Sequence, residues 1–80
     1  MFFVYALKSS KDSRVYVGLS QNVEKRLIDH NLGRVSSTKN FRPWFVFYKE
    51  ECGNRVNARK KEKYLKSGCG KEFLKSIMPL

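Results

Sequence analysis

The chain is short of acid. Its 80 residues hold seven Asp and Glu against 17 Lys and Arg, for a net charge of +10 with the single histidine neutral. The seven carboxylates are Asp12, Glu24, Asp29, Glu50, Glu51, Glu62 and Glu72. They form no cluster of the kind a two-metal site needs, where several carboxylates converge. One histidine excludes a two-histidine metal site. The five glycines are dispersed and build no glycine-rich phosphate loop. No serine stands in a nucleophile-elbow context. Two cysteines, Cys52 and Cys69, are too far apart for a CxxC pair, and no His or Cys lies at zinc-ligand spacing from them. No apolar run approaches the ~20 residues of a membrane span. Met1 leads straight into FFVYAL, without the basic start and cleavage site of a signal peptide. These absences predict a cytoplasmic protein with no membrane partner and with both thiols as small core residues.

What is present is positive charge and aromatic surface. An excess of this size points to a polyanionic partner, nucleic acid above all. Eighty residues make one domain, 1–80. A chain this short buries only about 60–65% of its unfolded surface. Six Phe, four Tyr and one Trp compensate in part, because each brings a large buried area. A hydrophobic share of 41% argues against disorder.

Phe2 to Lys8 reads as a strand, with Phe3, Tyr5 and Leu7 on one face and Phe2, Val4 and Ala6 on the other. Ser9 to Ser13 is a turn cluster, and Arg14 to Leu19 returns as a second, antiparallel strand. Asn22 suits the N-cap of a helix from Val23 to about Asn31, and Gly33 suits its left-handed end. Arg34 to Arg42 is a basic loop closed by Pro43. Trp44 to Tyr48 is a third strand, ended by Lys49 to Gly53. Asn54 caps a helix to about Lys66, with Ala58, Leu65 and Cys69 as its core stripe. Gly68 and Gly70 break it. A last helix, Lys71 to Met78, places Phe73, Leu74, Ile77 and Met78 on one side. The order is β-β-α-β-α-α, an α+β fold.

Chemistry concentrates between Val15 and His30. Tyr16 and Gly18 lie on a strand, and Arg26 and His30, four residues apart, share a face of the helix that follows. A phenol, a cation and an imidazole brought together suit phosphate. Glu62 sits at the edge of the apolar stripe of its helix, four residues after Ala58 and three before Leu65. Each residue also has an ordinary explanation. Tyrosines suit half-buried sheet positions, Arg26 a solvated face, and His30 a helix C-terminus where its charge is favoured. Glu62 could pair with Arg59 and Lys66. Trp44 suits the core. If a hydrolase is present, its composition favours one metal and one carboxylate.

In series these residues carry a resemblance. Phe3-Val4-Tyr5 is followed eleven residues later by Tyr16-Val17-Gly18. Arg26 and His30 come next, then the loop Ser37 to Lys39, then Pro43-Trp44, then Glu62. The ordered set resembles the GIY-YIG nuclease superfamily, its small single-domain members in particular, and covers essentially the whole chain. It departs in two places. The first tripeptide is FVY, with the tyrosine kept. The region where some members carry an asparagine after the glutamate reads Phe73-Leu74-Lys75.

The resemblance implies a three-stranded antiparallel sheet flanked by helices, and hydrolysis of DNA phosphodiesters with a divalent metal. Glu62 would hold one Mg2+ or Mn2+ ion, and Arg26 the scissile phosphate. Tyr5 would orient or deprotonate the attacking water, provided the surrounding cations favour its phenolate over the usual pKa near ~10. Tyr16 would hydrogen-bond in the same site. His30 would relay a proton or bind phosphate. Lys39 would contact phosphate, and Gly18 would leave room for backbone or substrate. The expected substrate is branched, damaged or single-stranded DNA, cut with low sequence specificity in repair or recombination. The alternatives are a non-catalytic nucleic-acid-binding module, or an adaptor joined to a larger repair complex through Phe73 and Ile77.

Overall fold

A computed structural model describes residues 1–79. Three strands form one antiparallel sheet, β1 (Phe2–Ser9), β2 (Val15–Ser20) and β3 (Trp44–Gly53). Its order is β2-β1-β3, so β1 is central. Helix α1 (Val23–Asn31) follows β2, and α2 (Arg55–Lys66) and α3 (Gly68–Ile77) follow β3. The fold is α+β, as expected.

The caps are those the sequence announces. The side chain of Asn22 accepts from the Lys25 N–H and that of Asn54 from the Asn57 N–H, so each satisfies a donor that the first helical turn leaves unpaired. Gly33 has a φ of 81°, the left-handed conformation that only glycine adopts without cost.

The alternation along β1 divides the core into two. Tyr5 and Leu7 pack with Val23 of α1 and with Trp44. Val4 and Ala6 point the other way and pack with Val17, Leu65 of α2 and Leu74 of α3. Thus α1 covers one face of the sheet and the α2–α3 pair covers the other. The register of β1 on β3 shifts between Ala6, opposite Tyr48, and Leu7, opposite Val46. Phe47 is the extra residue of this bulge, and both Phe47 and Tyr48 pack on the Val4 side.

Five expectations need correcting. Strand β3 does not end at Tyr48. It runs to Gly53, because the first half of β1 takes Lys49, Glu50 and Glu51 as partners, and an edge strand tolerates polar residues on its solvated side. The loop before it contains a short 3-10 turn, Lys39–Phe41. Helix α3 starts at Gly68 rather than Lys71, with the Ser67 side chain accepting from the Gly70 N–H. Neither thiol is a core residue: Cys52 is half-buried and Cys69 exposed. Gly70 takes the buried place near the start of α3, which turns Cys69 outward. Of the four apolar residues assigned to α3's inner side, Leu74 alone is buried. Phe73 and Ile77 remain 38% and 40% exposed, although the Phe73 ring meets that of Tyr48 edge-on at 5.4 Å.

Candidate active site

The site begins at the centre of the sheet. Tyr5 on β1 pairs with Gly18 on β2, and its ring lies over that glycine. A Cβ on Gly18 would sit 2.8 Å from the Tyr5 hydroxyl, 2.9 Å from Cζ and 3.0 Å from Cε2 of Tyr16. The space expected for backbone or substrate is therefore filled by the protein's own phenol. Gly18→Ala should lower stability by about 1–3 kcal/mol, because the buried ring must move. A depressed melting temperature would show it, and an unchanged one would mean that the ring yields freely.

Tyr16 lies two residues from Gly18 and so shares its face. Its ring centroid is 6.3 Å from that of Tyr5 and 4.7 Å from that of His30, the latter edge-on. His30 comes from the last turn of α1 and is fully buried. Its Nε2 lies 3.2 Å from the Tyr5 hydroxyl and its Nδ1 2.8 Å from Oγ1 of Thr38. A ring with no exposed surface and both nitrogens engaged cannot grip a phosphate. Of the two roles expected of His30, only the proton relay suits this position.

Burial, then the nearby Arg26 cation, hold the His30 pKa below its ordinary 6.5, with Asp29 opposing. The ring is neutral in the fold at neutral pH. The folded state binds this proton less readily than the unfolded chain, so the stability His30 contributes is full above pH 6.5 and is lost as pH falls through the folded pKa. Melting temperature should decline on acidification from 6.5, and His30→Gln should flatten that slope.

Tyr5 moves opposite to the direction that a base would need. Burial raises its pKa from 10.0, and the charges of Tyr16 and Glu62 add to the rise, while Arg26 alone opposes it. The general abundance of Lys and Arg does not help, because a buried phenol sees only the cation beside it. Arg26 is raised in turn, chiefly by its proximity to the Tyr5 phenol. With a side chain 38% exposed, it presents its guanidinium both to Tyr5 and to solvent.

Sequence reasoning missed two residues. Asp29, its side chain only 16% exposed, lies 3.6 Å from Arg26 and 3.0 Å from Arg34. The three-residue spacing from Arg26 is a signal that could have found it. Thr38 lies inside the Ser37 to Lys39 loop of the resemblance, but its meeting with His30 depends on the path of that loop. Its neighbour Lys39 is exposed. Among the described residues no side-chain hydrogen bond or ion pair ties Lys39 to the cluster.

Glu62 enters from α2. Its side chain is only 13% exposed, with Lys66 at 3.2 Å and Arg59 at 3.5 Å. The ordinary ion pair is there, and so is the withdrawn position at the stripe's edge. Its charge reaches Tyr5, whose ionisation it opposes. Among the described residues no group of three or more His, Cys, Asp or Glu could hold a metal ion alone. One carboxylate is still an apt donor for Mg2+, which retains several waters and is usually bound by one or two carboxylates together with substrate phosphate.

Comparison with known proteins shows the family. Residues 1–73 match the family of the GIY-YIG catalytic domain. A UPF0213 protein of Staphylococcus haemolyticus is 34% identical over 76 residues, covering 94% of this chain and 92% of its own. A UPF0213 protein of Staphylococcus saprophyticus gives the same identity and coverage, 34% over 76 residues, 94% and 92%. One from Desulfotalea psychrophila is 31% identical over 67 residues, 81% of this chain but only 60% of that protein. No solved structure gives a significant match. Matched over residues 1–73 of its 80 and 34% identical to a relative over nearly its whole length, the chain belongs to the GIY-YIG nuclease superfamily.

Proposed function

We propose that this protein is a divalent-metal-dependent endonuclease that hydrolyses DNA phosphodiesters. One observation carries the reading: Tyr5, Tyr16, Arg26 and His30 converge on one face of the sheet, within electrostatic reach of Glu62. Glu62 would hold one Mg2+ or Mn2+ ion. When bound, that ion would supply positive charge to offset the leaving 3′ oxygen. Arg26, charged and partly open to solvent, grips the scissile phosphate and stabilises its added charge. Tyr16 is only half-buried and is the phenol that water can reach; it orients the nucleophile. Tyr5 and His30 lie beneath and hold Arg26 and Tyr16 in place. Lys39, exposed on its loop, adds a phosphate contact.

The substrate in this reading is branched, damaged or single-stranded DNA, in repair or recombination, alone or within a larger complex. Backbone contacts supply affinity without sequence. Among the described residues no helix is long and apolar enough to cross a membrane. A second reading has its own observation. The two cations on Glu62 would, if they never yield, leave a nucleic-acid-binding module without catalysis. The deciding experiment is cleavage of supercoiled, single-stranded, flapped and four-way-junction DNA in Mg2+ or Mn2+ against EDTA. Metal-dependent nicking is expected. Equal activity in EDTA would end the single-metal mechanism, and salt-sensitive binding without any cleavage would favour the module.

A further inference from the structure

We propose that Thr38 is a positioning residue that sets the polarity of a buried hydrogen-bond chain, and so decides which way the Tyr5 hydroxyl points beside Arg26. Its catalytic consequence rests on the nuclease reading above, while its geometry does not. Thr38 is 1% exposed. Its backbone is pinned: Trp44 Nε1 donates to its carbonyl at 2.9 Å, and its own N–H donates to the Val35 carbonyl at 3.1 Å.

The direction of each bond follows from what each group can do. The Thr38 hydroxyl lies 3.3 Å from the Val35 carbonyl oxygen. A carbonyl only accepts, so this contact is made only when the hydroxyl donates to it, beside the Thr38 and Lys39 N–H groups that the same oxygen accepts. The hydroxyl can then also bond His30 Nδ1, 2.8 Å away, only as an acceptor, so both contacts are made together when Nδ1 carries the proton. A neutral imidazole has one N–H, so Nε2 is bare and accepts the hydroxyl of Tyr5 at 3.2 Å. The far end is compatible with this direction. Arg26 lies near enough to Tyr5 to act on its ionisation, and a guanidinium carries donors and no acceptor. The phenol oxygen can then face that cation while its proton goes to His30. All donors of the chain point toward the loop. The reversed chain would aim the Tyr5 proton at a cation and draw Thr38 away from Val35. With the chain set, the phenol offers Arg26 a lone pair at all times, which holds the guanidinium where it is to meet phosphate. Without the Thr38 hydroxyl the imidazole can take either tautomer, and Arg26 loses that acceptor for part of the time.

The test is the tautomer of His30 in the full-length 15N-labelled protein, read from ring nitrogen shifts and two-bond couplings at pH 7.5. Alongside it, kcat and KM for DNA nicking are measured in wild type, Thr38→Ser and Thr38→Val. The expected result is Nδ1–H in wild type and Thr38→Ser. Thr38→Val should give a mixture, with kcat lowered about 10- to 100-fold at nearly constant KM and restored by serine. Wild type protonated on Nε2 would overturn the proposal. So would a folded Thr38→Val that keeps both the Nδ1–H tautomer and the wild-type kcat. If Thr38→Val does not fold, Arg26→Leu decides: retained Nδ1–H assigns the polarity to Thr38, and a mixture assigns it to Arg26 instead. A wild type that cuts no DNA would refute the nuclease reading, yet the tautomer would still decide the role of Thr38.

Discussion

Glu62→Gln is expected to abolish metal-dependent cleavage, by about 10³-fold or more in rate, while DNA binding stays intact. The change keeps the shape and removes the charge. A Lewis-acidic ion contributes several kcal/mol to the transition state, and each ~1.4 kcal/mol is tenfold in rate. The fold should survive. The partners Arg59 and Lys66 are 60% and 56% exposed, and surface pairs of this kind contribute at most about 1 kcal/mol. Losing a negative charge from a chain of net charge +10 should leave DNA affinity equal or slightly higher. Nicking rates and a binding isotherm at fixed salt check both halves. A variant that still cuts at the wild-type rate would remove Glu62 from the site. A loss of binding that matches the loss of cutting would show that Glu62 acts through the fold or through DNA contacts.

The largest effect on stability is expected at Gly70. This buried glycine lies where α3 starts against the end of α2. A Cβ there would meet the Tyr64 carbonyl oxygen at 2.1 Å and the Leu65 Cα at 2.4 Å. Those atoms are backbone of α2, and Leu65 is fully buried in the core, so neither can retreat. Gly70→Ala should cost about 3 kcal/mol or more, at or beyond the upper end for overpacking. That is a large share of the ~5–15 kcal/mol by which domains are stable. Gly68→Ala is the control. It lies two residues away in the same helix with nothing within 4 Å of its Cβ, and should change stability by no more than about 0.5 kcal/mol. Urea unfolding of the pair checks this. Equal midpoints would mean that α3 shifts freely on α2.

The local features were legible because they are set by residues close in sequence. Asn22 and Asn54, each just before its helix, announce it by capping an N–H three residues on, and Gly33 announces the end of α1. The alternation in FFVYALK divides β1 between two cores before any partner is known. The family order also survives in one dimension, since Tyr5, Tyr16, Arg26, His30 and Glu62 occur in sequence at fitting intervals. The length of β3 was not legible. Lys49, Glu50 and Glu51 have no strand propensity to speak of, and they extend only because β1 lies beside them. Cys69 was placed on the apolar stripe of α2, although it lies beyond the end of that helix. The break at Ser67 and the burial of Gly70 reset the phase.

By itself, then, the sequence determined the element order, the helix caps, the two faces of the central strand and the family. Each of these is written in spacing or in local chemistry. Only the tertiary structure decided how the candidate residues are placed. It put Tyr5 over Gly18 and buried His30 completely, so the phenol resists ionisation and the imidazole is closed to phosphate. It also brought Thr38 within 2.8 Å of a histidine eight residues away. Burial, and the direction in which a proton points, depend on what packs around a group from other parts of the chain, and that is not a property of any local stretch.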